Sequence, residues 1–401
     1  MPPRSAALTR RVLAVLATVA LTVTVAPAAV AAAPAGDAGA ATEGLLAAAV
    51  PQVMAFVEKS RGLRFLRPVK VTALTAAQLE RRVLAGSGRP RPPSDTGQTY
   101  AALHLVGSAK AYDDGAAKAS AAGVLGFYVP GKDELVVRAV RATPFARGVL
   151  AHELTHALQD QHFDLQAVQR RATDADRFQG VASLYEGDAD TVEERYRLSL
   201  SAADRGAYAR ELGGLGGIGG GTSGDAASRE AQAVGAFLDF PYVYGPDLVA
   251  ALRTAGGQAL LDRAFADPPQ SSEQVVDPTR YALGGGRRDS PRRVGTPGRP
   301  AGTRLADTGV LGAYGLAVVL SSRVDGATRT RAALGWGGDR FVTWTTARGS
   351  CTRLRVVLDS GRDRAELLAA LQTWARGYPG TGTGAVADPR DGKALTLTSC
   401  T

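Results

Sequence analysis

Apolar positions change rhythm several times along the 401 residues, and each change marks an expected element. Residues 1–33 carry positive charge at Arg4, Arg10 and Arg11, then an uncharged apolar run from Val12 to Val25, then small residues, which is the layout of a secretory signal peptide. Cleavage is expected after Ala31 or Ala33; the alternative is an uncleaved anchor, since small and apolar residues run on to Ala33. Residues 34–42 form an Ala/Gly segment expected to be disordered, with order beginning at Glu43. From there LLAAAVPQVMAFVEKSRG has helical spacing and RFLRPVKVTAL reads as a short strand. TAAQLERRVLAG reads as a helix capped by Thr75 and stopped at Gly86.

A Pro/Gly linker covers 86–97 and a helical pattern 99–122. The stretch AGVLGFYVPGKDELVVRAV then predicts a hairpin, with strands Val124 to Val129 and Glu134 to Val140 around Pro130-Gly131-Lys132. It leads into a helix that opens with Thr143 as N-cap and Pro144 at the first position, where a missing N–H costs nothing. A second long helical pattern runs from 174 to 199 and ends before the glycine-rich GGLGGIGGGTSG. Further helical patterns follow at 226–239, 246–266, 306–323 and 362–376, with FVTWTTARG and CTRLRVVLDS strand-like between the last two. The expected class is α+β, mostly helical with a small mixed sheet or hairpin, in two regions: 43–210, and a mostly helical 225–401.

Composition changes this picture little. The net charge of +9 owes much to arginine in RPRPPS and GGGRRDSPRRVGTPGRP, where no aromatic residues interleave to stack bases. These read as solvated loops, and no nucleic-acid partner is expected. No apolar run after the signal segment is long enough to span a bilayer; the best, Val310 to Leu320, is short and broken by Gly312 and Gly315. The two cysteines, Cys351 and Cys400, form an even pair in a chain expected to be exported, and a disulfide is expected.

The candidate chemistry sits in LAHELTHALQDQHFD. On a helix His152 and His156 are i and i+4, so both imidazoles can reach one ion, and Glu153 stands about 100° round from His152, within reach of a water on that ion. Leu150, Leu154, Ala157 and Leu158 fall on the opposite, core-facing side. A catalytic zinc takes three protein ligands and keeps one position open. Of the two other histidines, His162 lies too far along the same helix and His104 has no motif around it. The third ligand is expected at Glu186, thirty positions beyond His156, with Asp188 as rival and Asp190 placed to accept the free N–H of a ligand imidazole.

The combination HELTH…EGDAD resembles the gluzincin zinc metallopeptidases, the thermolysin-like group. The longer HELTHALQDQHFDL, with GFYVPGKDELVV, PYVYG, SSEQVVDPTRY and GWGGDRF, is similar to a less characterised group of exported bacterial proteins of this type. Together these pieces are scattered over somewhat more than half the chain. The resemblance implies a zincin-like fold, His152, His156 and Glu186 as zinc ligands, Glu153 as general base, and Glu134 to Val140 as an edge strand that pairs with an extended peptide.

It also implies an exported zinc-dependent endopeptidase acting on peptide or protein substrates. The alternatives are an envelope protein that binds zinc without turnover, or a zinc amidase acting on cell-wall peptides. Thermolysin-like enzymes hold the developing oxyanion with a downstream histidine and a tyrosine. Here no histidine follows His162, Asp277 stands where the resembling group tends to have one, and Tyr244 or Tyr242 is left as donor.

Overall fold

The computed structural model describes residues 38–84, 95–113, 126–138, 141–214, 226–281, 289–347, 349–388 and 391–401. The signal peptide, the 86–94 part of the Pro/Gly linker and most of the glycine-rich stretch lie outside the described residues. Helix α1 (Ala38–Arg61) begins inside the segment expected to be disordered, because its alanines favour helix as strongly as any residue. Strand β1 (Lys70–Leu74) follows. Helix α2 (Ala76–Leu84) carries a reciprocal cap at its start: Gln78 N–H donates to Thr75 Oγ1 at 3.3 Å, and Thr75 N–H donates to Gln78 Oε1 at 2.9 Å. Of the pattern expected to be helical from 99 to 122, the first part is a short α3 (Thr96–Ala102) and residues 109–113 are helical again after a turn, while 114–122 lie outside the described residues.

The hairpin forms as β2 (Gly126–Val129) and β3 (Glu134–Arg138), but β3 is not an edge strand. β1, sixty-odd residues upstream, pairs with it in parallel from Lys70↔Glu134 to Leu74↔Arg138, so the sheet order is β1-β3-β2 and the hairpin edge left open is β2. The apolar face of this sheet (Leu135, Val137) packs with Val57 of α1 and with Leu150, Leu154 and Leu158 of the motif helix α4 (Pro144–Phe163).

After a short α5 (Leu165–Gln169), helix α6 (Ala175–Ser199) lies across α4, and α7 (Ala202–Gly214) packs against α4. The two patterns expected at 226–239 and 246–266 join into one long helix, α8 (Ala226–Ala266), broken only at Gly256 and Gly257. α6 and α8 cross at Gly187 and Gly245: a Cβ on Gly187 would lie 2.2 Å from the Gly245 carbonyl carbon, so only glycine permits the approach. Short α9 (Ser272–Val276) then docks on the start of α6.

The last hundred residues hold more sheet than expected. The helical pattern at 306–323 divides into β4 (Arg304–Gly309) and α10 (Gly312–Leu320), with the break at Gly312, whose φ of 77° suits only glycine. After α11 (Gly326–Ala333) come β5 (Trp336–Thr346), β6 (Gly349–Leu358), α12 (Gly361–Ala375), β7 (Gly384–Ala387) and β8 (Ala394–Cys400), which complete a five-stranded antiparallel sheet of order β4-β5-β6-β8-β7. Trp336, Leu354, Leu395 and Trp374 are buried between this sheet and α10 and α12. Cys351 and Cys400 face each other in the β6–β8 register and form the expected disulfide. The fold is α+β. No helix among the described residues is long and apolar enough to cross a membrane.

Candidate metal centre

Helix α4 starts as expected: Thr143 is extended and its side chain accepts from Ala146 N–H at 3.1 Å, and Pro144 opens the first turn. The whole string HALQDQHFD then has a task. Asp160 accepts from Tyr128 Oη–H at 2.9 Å, Gly131 N–H at 2.7 Å and Leu165 N–H at 2.9 Å, which clamps the hairpin onto the helix. Gln161 Oε1 accepts from Leu66 N–H at 2.7 Å and fixes the approach to β1. His162 faces away from the motif, its Nε2 2.7 Å from the Arg64 carbonyl, and His104 stacks on Tyr378 with ring centroids 3.7 Å apart.

α6 brings Glu186 to the two histidines. His152 Nε2 and His156 Nε2 are 3.1 Å apart, and each is 3.3 Å from Glu186 Oε2. An ion bound tetrahedrally at about 2.0–2.1 Å holds its donor atoms about 3.3–3.4 Å apart, so this triangle has the size such an ion requires. The tautomers agree. Gln159 Nε2 donates to Tyr185 O at 3.0 Å and to Asp188 Oδ2 at 2.9 Å, which turns its Oε1 toward His156 Nδ1 at 3.0 Å. His156 Nδ1 therefore carries a proton and donates to Gln159, which leaves Nε2 as the ring nitrogen facing the carboxylate oxygen.

Asp188, the rival ligand, points elsewhere. It is fully buried against Arg61 Nε at 2.6 Å, and Arg61 reaches on to Asp262 at 2.8 Å. Sequence reasoning missed Gln159 as the link from this buried pair to a ligand histidine; its position three residues after His156 was the available signal. On the other side His152 Nδ1 is 3.1 Å from Asp190 Oδ1, as expected, and also 3.3 Å from Glu193 Oε2. Glu186, Asp190 and Glu193 follow i, i+4, i+7 on one face of α6. Neither contact to Nδ1 is well aligned with the ring N–H, and the two carboxylates share it.

Burial pulls the His152 pKa down, yet Asp190, Glu186 and Glu193 together push it well above the usual imidazole value. His156 is raised too, Glu186 outweighing burial. Burial drives Glu186 upward, but the two imidazoles hold it far below the ordinary carboxylate range. The centre is thus a well of negative potential that draws positive charge. The ligand side chains keep some access to solvent, 11% for each histidine and 15% for Glu186.

Glu153 is half-buried beside the triangle, and its Oε2 accepts from Tyr128 N–H at 2.8 Å. That N–H belongs to the open edge of β2, so the strand that borders the centre is β2. The two tyrosines of α8 separate. Tyr242 is 43% exposed with its ring 6.4 Å from that of His152, whereas Tyr244 is buried against Phe240 and Tyr314. Tyr244 is therefore not the donor beside the metal centre, because two residues along a helix turn it about 200° away from Tyr242. Asp277 accepts from Thr279 N–H at 3.1 Å and caps the 3-10 turn Pro278–Arg280. Its segment is tied through Ser272 to Asp176, about 15 Å along α6 from Glu186 at the helical rise.

No protein-family model and no curated protein matches the chain. Among solved structures, one from Chloroflexus aurantiacus described as a "putative hydrolase with a novel fold" aligns over 70% of this chain and 98% of its own, at 15% identity and a TM-score of 0.40. At that level the likeness bears on neither fold nor function.

Proposed function

We propose that the protein is a zinc-dependent hydrolase that cleaves peptide bonds, exported from the cell. The observation that carries the reading is the donor triangle of His152, His156 and Glu186, with each flanking group set for its part. Two imidazole nitrogens and one carboxylate oxygen suit zinc better than magnesium or calcium, which prefer all-oxygen shells.

A bound zinc ion would supply a Lewis acid and lower the pKa of a water toward 7. Glu153 is placed to take a proton from water on the ligand side and hand it to the departing amine. Gln159 keeps His156 in the Nδ1–H tautomer, and the negative charge of Asp190 and Glu193 beside His152 Nδ1 favours the same tautomer there. The N–H of Tyr128 orients Glu153 and leaves the β2 edge beside it. Tyr242, exposed beside the His152 ring, takes over the role of oxyanion donor expected of Tyr244. The disulfide and the N-terminal apolar segment support export.

The test is metal analysis of the purified protein together with mass spectrometry of a diverse peptide library, using Glu153→Gln and a chelator as controls. Cleavage that both controls abolish supports the proposal. A second reading, a zinc-binding envelope protein without turnover, is favoured by the absence of any histidine beside the centre other than the two ligands, among the described residues. One zinc per chain with no cleavage of any peptide would select it.

A further inference from the structure

We propose that a second site, on the other face of α8 from the metal centre, binds a small amphiphilic carboxylate. A cavity of about 1070 Å³ lies there, between α8, α10 and α11. Its size is at the upper end of what small-molecule sites occupy. Ala236, Ala313, Ala317 and Ala333 line it, and these small side chains leave the volume open with an apolar wall.

The charged side chains in the wall share one sign. Arg323 and Arg329 both line the cavity, and no Asp or Glu side chain does. Neither arginine lies within ion-pairing distance of a carboxylate among the described residues, and the Arg329 side chain has no hydrogen-bond partner there. Arg323 is exposed and stacks on Tyr378, whereas Arg329 is half-buried at the cavity and offers a carboxylate its planar fork.

Tyr244 supplies the second observation. It is only 7% exposed and lines the cavity, yet its hydroxyl bonds to no described residue. That hydroxyl opens into the cavity, whereas the neighbouring Tyr314 hydroxyl donates to the Ala236 carbonyl at 3.1 Å. Arg329 and Tyr244 both line this cavity, and burial pushes the Tyr244 pKa up to about 12 with Arg329 opposing. His104, also in the wall, is held down at about 4 by burial and by Arg323, and stays neutral at pH 7. A carboxylate at Arg329 and Tyr244, with its apolar body along the alanine wall, would partner both of these groups. This site does not depend on the zinc reading.

Isothermal titration of the purified protein tests it, with octanoate and benzoate as the two carboxylate probes and octanol and octylammonium as the neutral and cationic controls. Octanoate or benzoate should bind once per chain, at least about tenfold tighter than octanol, and which acid wins tells an aliphatic from an aromatic ligand. Arg329→Gln, a substitution of a partly exposed helix residue without partners, should reduce the better acid to the level of octanol. Tyr244→Phe should weaken it by about threefold or more. Ala317→Trp, which fills the cavity, should remove binding of all probes. Octanol binding as tightly as both acids, unchanged acid affinity in Arg329→Gln, or no binding of either acid would overturn the proposal.

Discussion

Two clusters of acidic side chains in this molecule look alike by composition and behave oppositely. At the first, Glu186, Asp190 and Glu193 surround His152 and His156. At the second, Glu273, Asp289 and Asp359 come together at the junction of α9 with the five-stranded sheet. The second cluster already holds its cation: Arg280 lies 2.9 Å from Asp359 and 3.4 Å from Glu273, and also bonds Asp289. In the first cluster no lysine or arginine among the described residues stands with the donors, and His152 Nε2, His156 Nε2 and Glu186 Oε2 converge on one point. The count of carboxylates does not make a metal site; the difference lies in whether the chain itself supplies the counter-charge.

The largest effect that sharpens this contrast is catalytic. Glu153→Gln should lower peptide hydrolysis by about 10²–10⁴-fold while leaving one metal ion per chain, because it removes a proton carrier and no ligand. Equal losses of metal and activity would show that Glu153 is itself a ligand. Next come the ligands: His156→Ala or Glu186→Gln should strip the metal, measured by elemental analysis after dialysis, whereas Asp359→Asn should leave it unchanged. Metal loss in Asp359→Asn would break the comparison.

A smaller effect is expected from the supports. Gln159→Ala and Glu193→Gln should each weaken metal affinity by about 10–100-fold in a competition titration with a chelator, since the ligand imidazoles lose the groups that orient them.

The smallest effect concerns stability. Burial pushes the Glu273 carboxyl up to about 9, above its ordinary value near 4.5, with Arg280 opposing. A raised folded-state pKa means that the native protein binds the proton more tightly than the unfolded chain. The associated stability is therefore full below about pH 4.5 and is lost as pH rises toward 9. Glu273→Gln should flatten that loss and raise stability by about 1–2 kcal/mol at pH 8, read from thermal or urea unfolding. A steeper decline with pH in the variant would contradict the assignment.

Much of the first cluster was legible in the chain because its signals are local. The cap at Thr143, the proline after it, the i, i+4 histidines and the i, i+4 pair of Glu186 and Asp190 all follow from helical periodicity. What the sequence hid was set by partners far away in the chain. Asp188 looked like a ligand because nothing local reveals Arg61, 127 residues upstream, as its partner. β3 looked like an edge strand because the pairing with β1 is long-range and parallel. Tyr244 and Tyr242 could not be told apart until the Gly187–Gly245 crossing fixed the rotation of α8. The strand β4 was read as helix since its six residues run straight into α10, and only the left-handed turn at Gly312 divides them.

The central claim is most directly tested by anomalous X-ray diffraction from crystals of the zinc-supplemented protein, recorded above and below the zinc edge. A single strong peak about 2.0–2.1 Å from His152 Nε2, His156 Nε2 and Glu186 Oε2 is the predicted result. No peak there, or one among Glu273, Asp289 and Asp359 in its place, would contradict it.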